Sequence, residues 1–311
     1  TYLLYLNKIA GRSFIDFSQF NVFPWIISDY STSLYESIPA ESFRDLSLPM
    51  GQIGPERTPR FQLFFETSKY FYGTHYMHLG VVLFYLFRID PFCLFSIYFH
   101  HGWDHPSRLF SDFAEAWLSA AHVSQNDVKE AVPQLFKCPE FLLNISNLPL
   151  TMPESNPPTP QNVENVKLGR WSNNSRDFTR IMSIELESER VSKSINNWID
   201  LIFGVKSRGE PAIEAKNVFP PLCYSDNAST TTNANANANS ADERNLIEEE
   251  VERKAAEASI INFGQCPRQL FKSSHPIKNK IEPRAHLLSD PRLVFYQSLN
   301  CNAFIPSALP A

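Results

Sequence analysis

Apolar residues along this chain change their spacing several times, and each change marks an expected element. From Tyr2 to Ala10 they fall at Leu3, Leu6 and Ile9, and Gly11 follows, which predicts a short helix with a glycine stop. Between Phe14 and Tyr30 the period disappears. Phe14, Phe17, Phe20, Phe23, Trp25 and Tyr30 arrive without helical or strand spacing, and Pro24 forbids a long element. That stretch reads as irregular extended chain whose aromatics are buried all the same. Ser47 to Arg60, with Pro49, Gly51, Gly54, Pro55 and Pro59, reads as loop.

Helical periodicity then takes over. Thr74 to Phe87 is apolar nearly all round, as a central buried helix should be, and Pro91 closes it. Ser107 to His122 carries Leu109, Phe110, Phe113, Trp117 and Ala121 at helical spacing, with Ser107 as N-cap. Asn126 to Ala131 reads as a turn of helix before Pro133. The longest stripe runs from Asp177 to Phe203 through Phe178, Ile181, Ile184, Val191, Ile195, Trp198, Leu201 and Ile202, with Gly204 as its stop. Its phase slips between Ile184 and Val191, so one helix or two fit it. Pro153–Pro160 and Ser229–Ser240 read as disordered insertions. Ala241 to Ser259 is charged and helix-favouring, with Glu249–Arg253 and Glu250–Lys254 four apart. The expected class is mainly α.

Composition narrows the function. A chain of 311 residues can bury a sizeable core. Its net charge of −5 argues against nucleic acid as a partner. It has 25 Phe, 11 Tyr and 5 Trp but 10 Gly, so a glycine-rich phosphate loop is an unpromising reading. Five scattered cysteines (Cys93, Cys138, Cys223, Cys266, Cys301) lack CxxC spacing, which suggests a reduced, cytosolic chain. Three Asn-x-Ser tripeptides, at Asn144, Asn173 and Asn227, are discounted without a secretory context. The apolar run Leu79–Phe99 is broken by Arg88, Asp90 and Pro91, whereas a membrane span needs about 18 or more nearly uncharged residues. The start at Thr1, with no initiator Met or leader, suggests a fragment or processed piece.

Catalytic motifs are scarce. Gly204–Gly209 spaces like a P-loop but continues Glu210-Pro211, where an acidic residue would repel phosphate. Neither GxSxG nor HExxH occurs. Histidines gather at His75/His78 and at His100, His101 and His105 with Asp104. A metal needs three or four converging donors, and a helical i, i+3 pair supplies two, so histidines hydrogen-bonded within an aromatic core are the preferred reading. Glu185/Glu187/Glu189 and Glu248–Glu250 read as solvated faces. Arg12, Asp29, Arg44, Asp45 and Arg108 stand among aromatics and read as internal ties for irregular backbone rather than as catalysts.

A series of blocks carries a resemblance. Asn7-Lys-Ile-Ala-Gly-Arg-Ser-Phe-Ile-Asp16, Phe23-Pro-Trp-Ile-Ile-Ser-Asp-Tyr30 and Phe43-Arg-Asp-Leu-Ser-Leu-Pro-Met-Gly51 open it. Tyr72-Gly-Thr-His-Tyr76, Arg88-Ile-Asp-Pro-Phe92, Trp103-Asp-His-Pro-Ser-Arg-Leu-Phe110 and Asp127-Val-Lys-Glu-Ala-Val-Pro133 continue it. Pro139-Glu-Phe-Leu142, Leu186-Glu-Ser-Glu-Arg-Val-Ser192, Trp198-Ile-Asp-Leu-Ile-Phe-Gly204, Asn217-Val-Phe219, Ile261-Asn-Phe-Gly-Gln-Cys-Pro-Arg-Gln-Leu-Phe271 and His275-Pro276 complete it. In this order, over residues 2–276, the blocks are similar to those of BEACH domains. Phe99-His-His-Gly102 and Gly169-Arg-Trp171 depart from the family's pattern, and both insertions enlarge shorter regions.

The resemblance implies a BEACH-type fold of irregular extended core segments flanked by helices, with residues 1–276 as the domain and 277–311 as a linker towards WD40 repeats. It implies a cytoplasmic, non-enzymatic scaffold, peripheral on endomembranes, in vesicle traffic, lysosome dynamics or autophagy. The implied partners are a PH-like domain and WD40 repeats of the same parent chain, and trafficking or signalling proteins. It implies no cofactor and no catalytic residue. The polar residues it marks, as structural or interaction residues, are Asn7, Arg12, Asp29, Arg44, Asp45, His75, Asp104, Arg108 and Asp200. The competing readings are a metal-dependent hydrolase using His100, His101 and His105, and a degenerate freestanding copy.

Overall fold

The structure is a computed structural model that describes residues 2–33, 35, 38–94, 109–145, 151–154, 159–162, 165–224, 251, 254–255 and 258–278. It is helix-rich, as the periodicity predicts. A single two-stranded hairpin interrupts the helices among the described residues. Helix α1 (Tyr2–Ile9) turns Leu3, Leu6 and Asn7 inward, and Gly11 ends it at φ +89°. Ile9, expected on the buried stripe, is 61% exposed because the inward face follows residues 3, 6, 7 and 10.

The chain from Arg12 to Tyr30 is extended and irregular. It makes isolated bridges, Phe23 with Ala131 and Ile27 with Phe43, instead of joining a sheet. Val22, Trp25 and Ile27 are fully buried, whereas Phe14 is half exposed, against expectation. Trp25 meets Phe113 and Trp117 edge-on at 6.1 and 6.0 Å, and Tyr30 stacks on Phe113 at 5.6 Å. Aromatic rings here supply the area and the angular preference that a sheet's side-chain ladder would otherwise supply.

Several elements differ from their expected bounds, each for a tertiary reason. The loop Ser47–Arg60 contains a 3-10 turn (Met50–Gln52) and the start of α2 (Thr58–Ser68), in which Phe61 alone is buried. The helix expected over Thr74–Phe87 is shorter, α3 (Leu79–Leu86). The His75 amide donates to Phe263 O, and Tyr76 O accepts from the Glu130 amide, so this backbone is spent on other segments. The helix expected from Ser107 is α4 (Phe113–Leu118), capped by Asp112, whose carboxylate accepts from the Ala114 and Glu115 amides. Ser111 and Asp112 are held extended by pairing with Lys167, which excludes them from the helix, and Ser107 lies outside the described residues. A wider π-helical turn, Ser119–Val123, follows, where Arg57 takes the Ala120 carbonyl. Asn126–Ala131 is not a helical turn: Ala131 bridges Phe23 and is followed by α5 (Gln134–Lys137).

The proline-rich segment is ordered at its ends, with β1 (Thr151–Glu154) antiparallel to β2 (Thr159–Asn162) and Pro153 opposite Pro160. Residues 155–158 and the whole of 229–240 lie outside the described residues. The long stripe divides into α6 (Ser175–Glu187), α7 (Glu189–Ser192) and α8 (Ile195–Ile202), with Ser188 capping α7 through the Val191 amide. The phase slip therefore marks real breaks. Ile184 points outward while Glu185 faces inward, on the side of Phe178, Ile181 and Met182. Helix α9 (Gly209–Glu214) precedes the remaining stretch. The helical residues 258–263 end at Gly264, φ +77°, and an extended strap then runs back over the molecule. Its Gln265, Arg268 and Leu270 amides donate to Ser18, Ala10 and Phe203 carbonyls.

One close approach gives a stability test. A Cβ on Gly51 would lie 2.1 Å from Tyr72 Cε1, whereas one on Gly73 meets nothing within 4 Å. Tyr72 is buried and pinned by its hydroxyl to Lys216 O at 2.7 Å, so it has no room to yield. Gly51→Ala is expected to cost about 1–3 kcal/mol in urea denaturation and Gly73→Ala less than about 0.5 kcal/mol.

Candidate functional site: the buried polar network

Extended pairing brings Arg44 beside the N-terminal segment, its amide donating to Ile26 O at 2.9 Å. Its guanidinium then reaches Glu130 with two N–H groups, at 2.6 and 2.7 Å, and Leu48 O with a third contact at 3.3 Å. Both side chains are buried. Glu130 joins three further segments. Its carboxylate accepts from Trp198 Nε1 on α8, its carbonyl from the Tyr85 hydroxyl on α3, and its amide donates to Tyr76 O. A buried pair holds only when such bonds replace the lost water, and this one has them.

The other marked residues act on backbone. Asn7 donates to Leu3 O and Val22 O and accepts from the Val22 amide at 2.8 Å, which ties α1 to the extended segment. Arg12 donates to Phe20 O at 2.8 Å and to Gln265 O on the strap, and burial holds its pKa below the ordinary value. Asp200 on α8 accepts from the His275 amide at 2.9 Å, at the strap's far end. Asp29 and Asp45 differ from the internal ties expected of them. Asp29 is half-buried, and its carboxylate caps its own turn through Ser31 and Thr32, whose hydroxyls pull its pKa down to about 2. Asp45 is exposed and caps the Ser47 turn in the same way. Short acidic side chains near the surface satisfy adjacent amides sooner than distant ones. Asp104, Arg108, His100, His101 and His105 lie outside the described residues.

His75 and His78 do not form the helical pair expected of them. His78 caps α3, its Nδ1 accepting from the Gly80 amide. His75 is fully buried, with its ring 3.7 Å from that of Tyr76 and edge-on to Phe219. Its Nδ1 accepts from the Met77 amide at 3.1 Å, so the neutral ring carries its proton on Nε2. Burial first, then the Arg12 charge, pushes its pKa well below the ordinary value. Among the described residues no three His, Cys, Asp or Glu side chains stand placed to share a metal ion.

Glu130, Arg57 and Asn217 were not marked as site residues from the sequence, and Trp25 was read only as a buried aromatic. Trp25 Nε1 donates to Lys129 O, Arg57 to Ala120 O and Asp127 O, and Asn217 to Leu201 O and Lys206 O. The available signal for Glu130 is a charge between Val128 and Ala131-Val132, in a run that is otherwise core. Glu185 also departs from the solvated face expected of it: it is buried and accepts from the Tyr35 hydroxyl.

This arrangement links blocks far apart in sequence through buried side chains. A family model described as the Beige/BEACH domain matches residues 1–278. The chain belongs to the BEACH family. It is 35% identical over 317 residues to BEACH domain-containing protein B of Arabidopsis thaliana, covering 98% of this chain and 11% of that protein. It is 34% identical over 319 residues to BEACH domain-containing protein lvsE of Dictyostelium discoideum, covering 98% of this chain and 13% of that protein. The chain thus spans about an eighth or less of the length of these BEACH relatives. Among the described residues no helix is long and apolar enough to cross a membrane.

Two measurements test the network. Glu130→Ala and Arg44→Ala should each lose about 3–5 kcal/mol in urea denaturation, because each leaves a buried charge unpaired. The double variant Arg44→Ala/Glu130→Ala should lose less than the sum of the two, which a double-mutant cycle reads directly. For His75, the unfolded chain takes up a proton near pH 6.5 while the folded ring, facing Arg12 and His78, does not. Stability should therefore fall as pH drops below about 6.5, and His75→Gln should flatten that part of a pH–urea midpoint profile.

Proposed function

We propose that this BEACH domain is a non-enzymatic interaction module of a larger scaffold protein, and that its partners are a PH-like domain of the parent chain and proteins of membrane traffic. The observation that carries the reading is the use made of the motif side chains. Asn7, Arg12, Arg44, Asp200 and Asn217 are buried and hydrogen-bonded to backbone or to one another, so they hold a shape rather than face a substrate.

An open groove of about 410 Å³ supports the same reading. It lies between Ser47, Leu48 and Gln52 on one side and Val205, Lys206 and Lys216 on the other. The Ser47 hydroxyl donates to Asp45 at 2.6 Å, and among the described residues no histidine lines the groove to serve it as a base. The coverage of 11–13% in the long relatives fits a module that works beside other domains. Endomembrane traffic, lysosome dynamics and autophagy are the settings this reading assigns, with residues 277–311 as the linker to WD40 repeats.

Isothermal titration of the purified domain with the PH-like module of its own parent protein tests the proposal. A one-to-one complex with a dissociation constant of about 10 μM or tighter is expected. No detectable heat and no co-elution at about 100 μM would overturn it.

A further inference from the structure

The strap that closes the molecule carries one half of an unassigned pair of thiols. The Cys266 amide donates to the Cys223 carbonyl at 2.7 Å. This bond brings the two backbones into direct contact, and a disulfide needs Cα atoms roughly 4.4–6.8 Å apart. The side chains converge on the same place. Cys223 Sγ donates to Phe263 O at 3.8 Å, just before the Gly264 turn that leads into Cys266. The hydroxyl of Tyr224, next to Cys223, accepts from the Phe219 amide at 3.1 Å, and Cys223 lies close enough to Cys266 to raise its pKa. Both cysteines are reduced and buried.

We propose that Cys223 and Cys266 are a redox-modification site, at which a peroxide closes a disulfide that fastens the strap to the core. Cys266, the more exposed of the two at 8% against 0%, reacts first. Its sulfur attacks the peroxide O–O bond, giving a sulfenic acid and one water. The Cys223 thiol then attacks that sulfur, the S–O bond breaks, and the second water leaves with the thiol proton. Two thiols are oxidised by two electrons and one hydrogen peroxide is reduced to two waters. Burial pushes the Cys223 thiol up to about 12, and burial together with Cys223 pushes Cys266 up as well, so the reaction is slow at neutral pH and quickens as pH rises.

The position of the pair gives the bond its consequence. The strap holds three separate parts of the fold: Arg268 donates to Ala10 O at the end of α1, Leu270 to Phe203 O after α8, and the His275 amide to the Asp200 carboxylate. These are extended-chain hydrogen bonds, the kind that opens locally without global unfolding. A disulfide at residue 266 makes that opening rarer, and a reductant restores it.

The test uses the 311-residue chain carrying Cys138→Ser and Cys301→Ser, to suppress links between molecules. It is treated with hydrogen peroxide at pH 7.5 and pH 9, then alkylated in denaturant. Expected are a product 2 Da lighter before alkylation and carrying two fewer alkyl groups after it, a linked peptide pair containing Cys223 and Cys266, faster formation at pH 9, and slower hydrogen exchange over 264–275 that dithiothreitol reverses. Adding Cys223→Ala should abolish the linked pair and the change in exchange. If that variant does not fold, the peptide map of the parent decides alone. Alkylation of both thiols after treatment, their separate conversion to sulfinic acids, or a link to Cys93 instead would overturn the proposal.

Discussion

The buried Arg44–Glu130 pair is the constraint on which the rest of this fold depends. A carboxylate inside a protein costs several kcal/mol unless its water is replaced, and here two guanidinium N–H groups and an indole N–H replace it. The replacement is possible only if the loop after Phe43, the segment before Pro133 and helix α8 arrive together. The same residue's amide and carbonyl hold Tyr76 and Tyr85, so α3 is fixed by the same condition. One charge thus requires five segments to be in place at once.

Around that pair the molecule solves a general problem of irregular chains. Extended segments that do not enter a sheet leave amides and carbonyls unpaired, and buried ones must find partners. Side chains provide them here: Asn7 for Val22, Arg12 for Phe20 and Gln265, Trp25 for Lys129, Arg57 for Ala120 and Asp127, Asn217 for Leu201 and Lys206. Aromatic rings fill the space between them, with Trp171 stacked on Phe178 at 5.0 Å while its Nε1–H holds Asp29 O. Polar groups committed in this way shape the surface without standing on it.

Much of the fold could be read from spacing alone. The helix at α1 with its glycine stop, the irregular run through Trp25 and the slip within Asp177–Phe203 all follow from local pattern, because helix periodicity and Gly or Ser stops act within a few residues. The shortened α3 and α4 could not be read that way. Thr74–Met77 and Ser111–Asp112 have apolar neighbours suited to a helix, but their backbone groups are claimed by Phe263, Glu130 and Lys167. For the candidate site, Arg12 and Arg44 could be identified as charges among aromatics. Glu130 could not, since its partners lie 86 and 68 residues away.

By itself the sequence determined the class, the family, and which residues are too polar for their apolar surroundings, because composition, period and motif order are properties of the chain. Tertiary structure decided which of those residues are ties and which are caps. Arg44 finds a buried carboxylate and Asp45, its neighbour, finds only the amide and hydroxyl of Ser47. The physical reason is that a hydrogen bond's value depends on what water would otherwise supply. Burial sets that value, and burial belongs to the folded molecule.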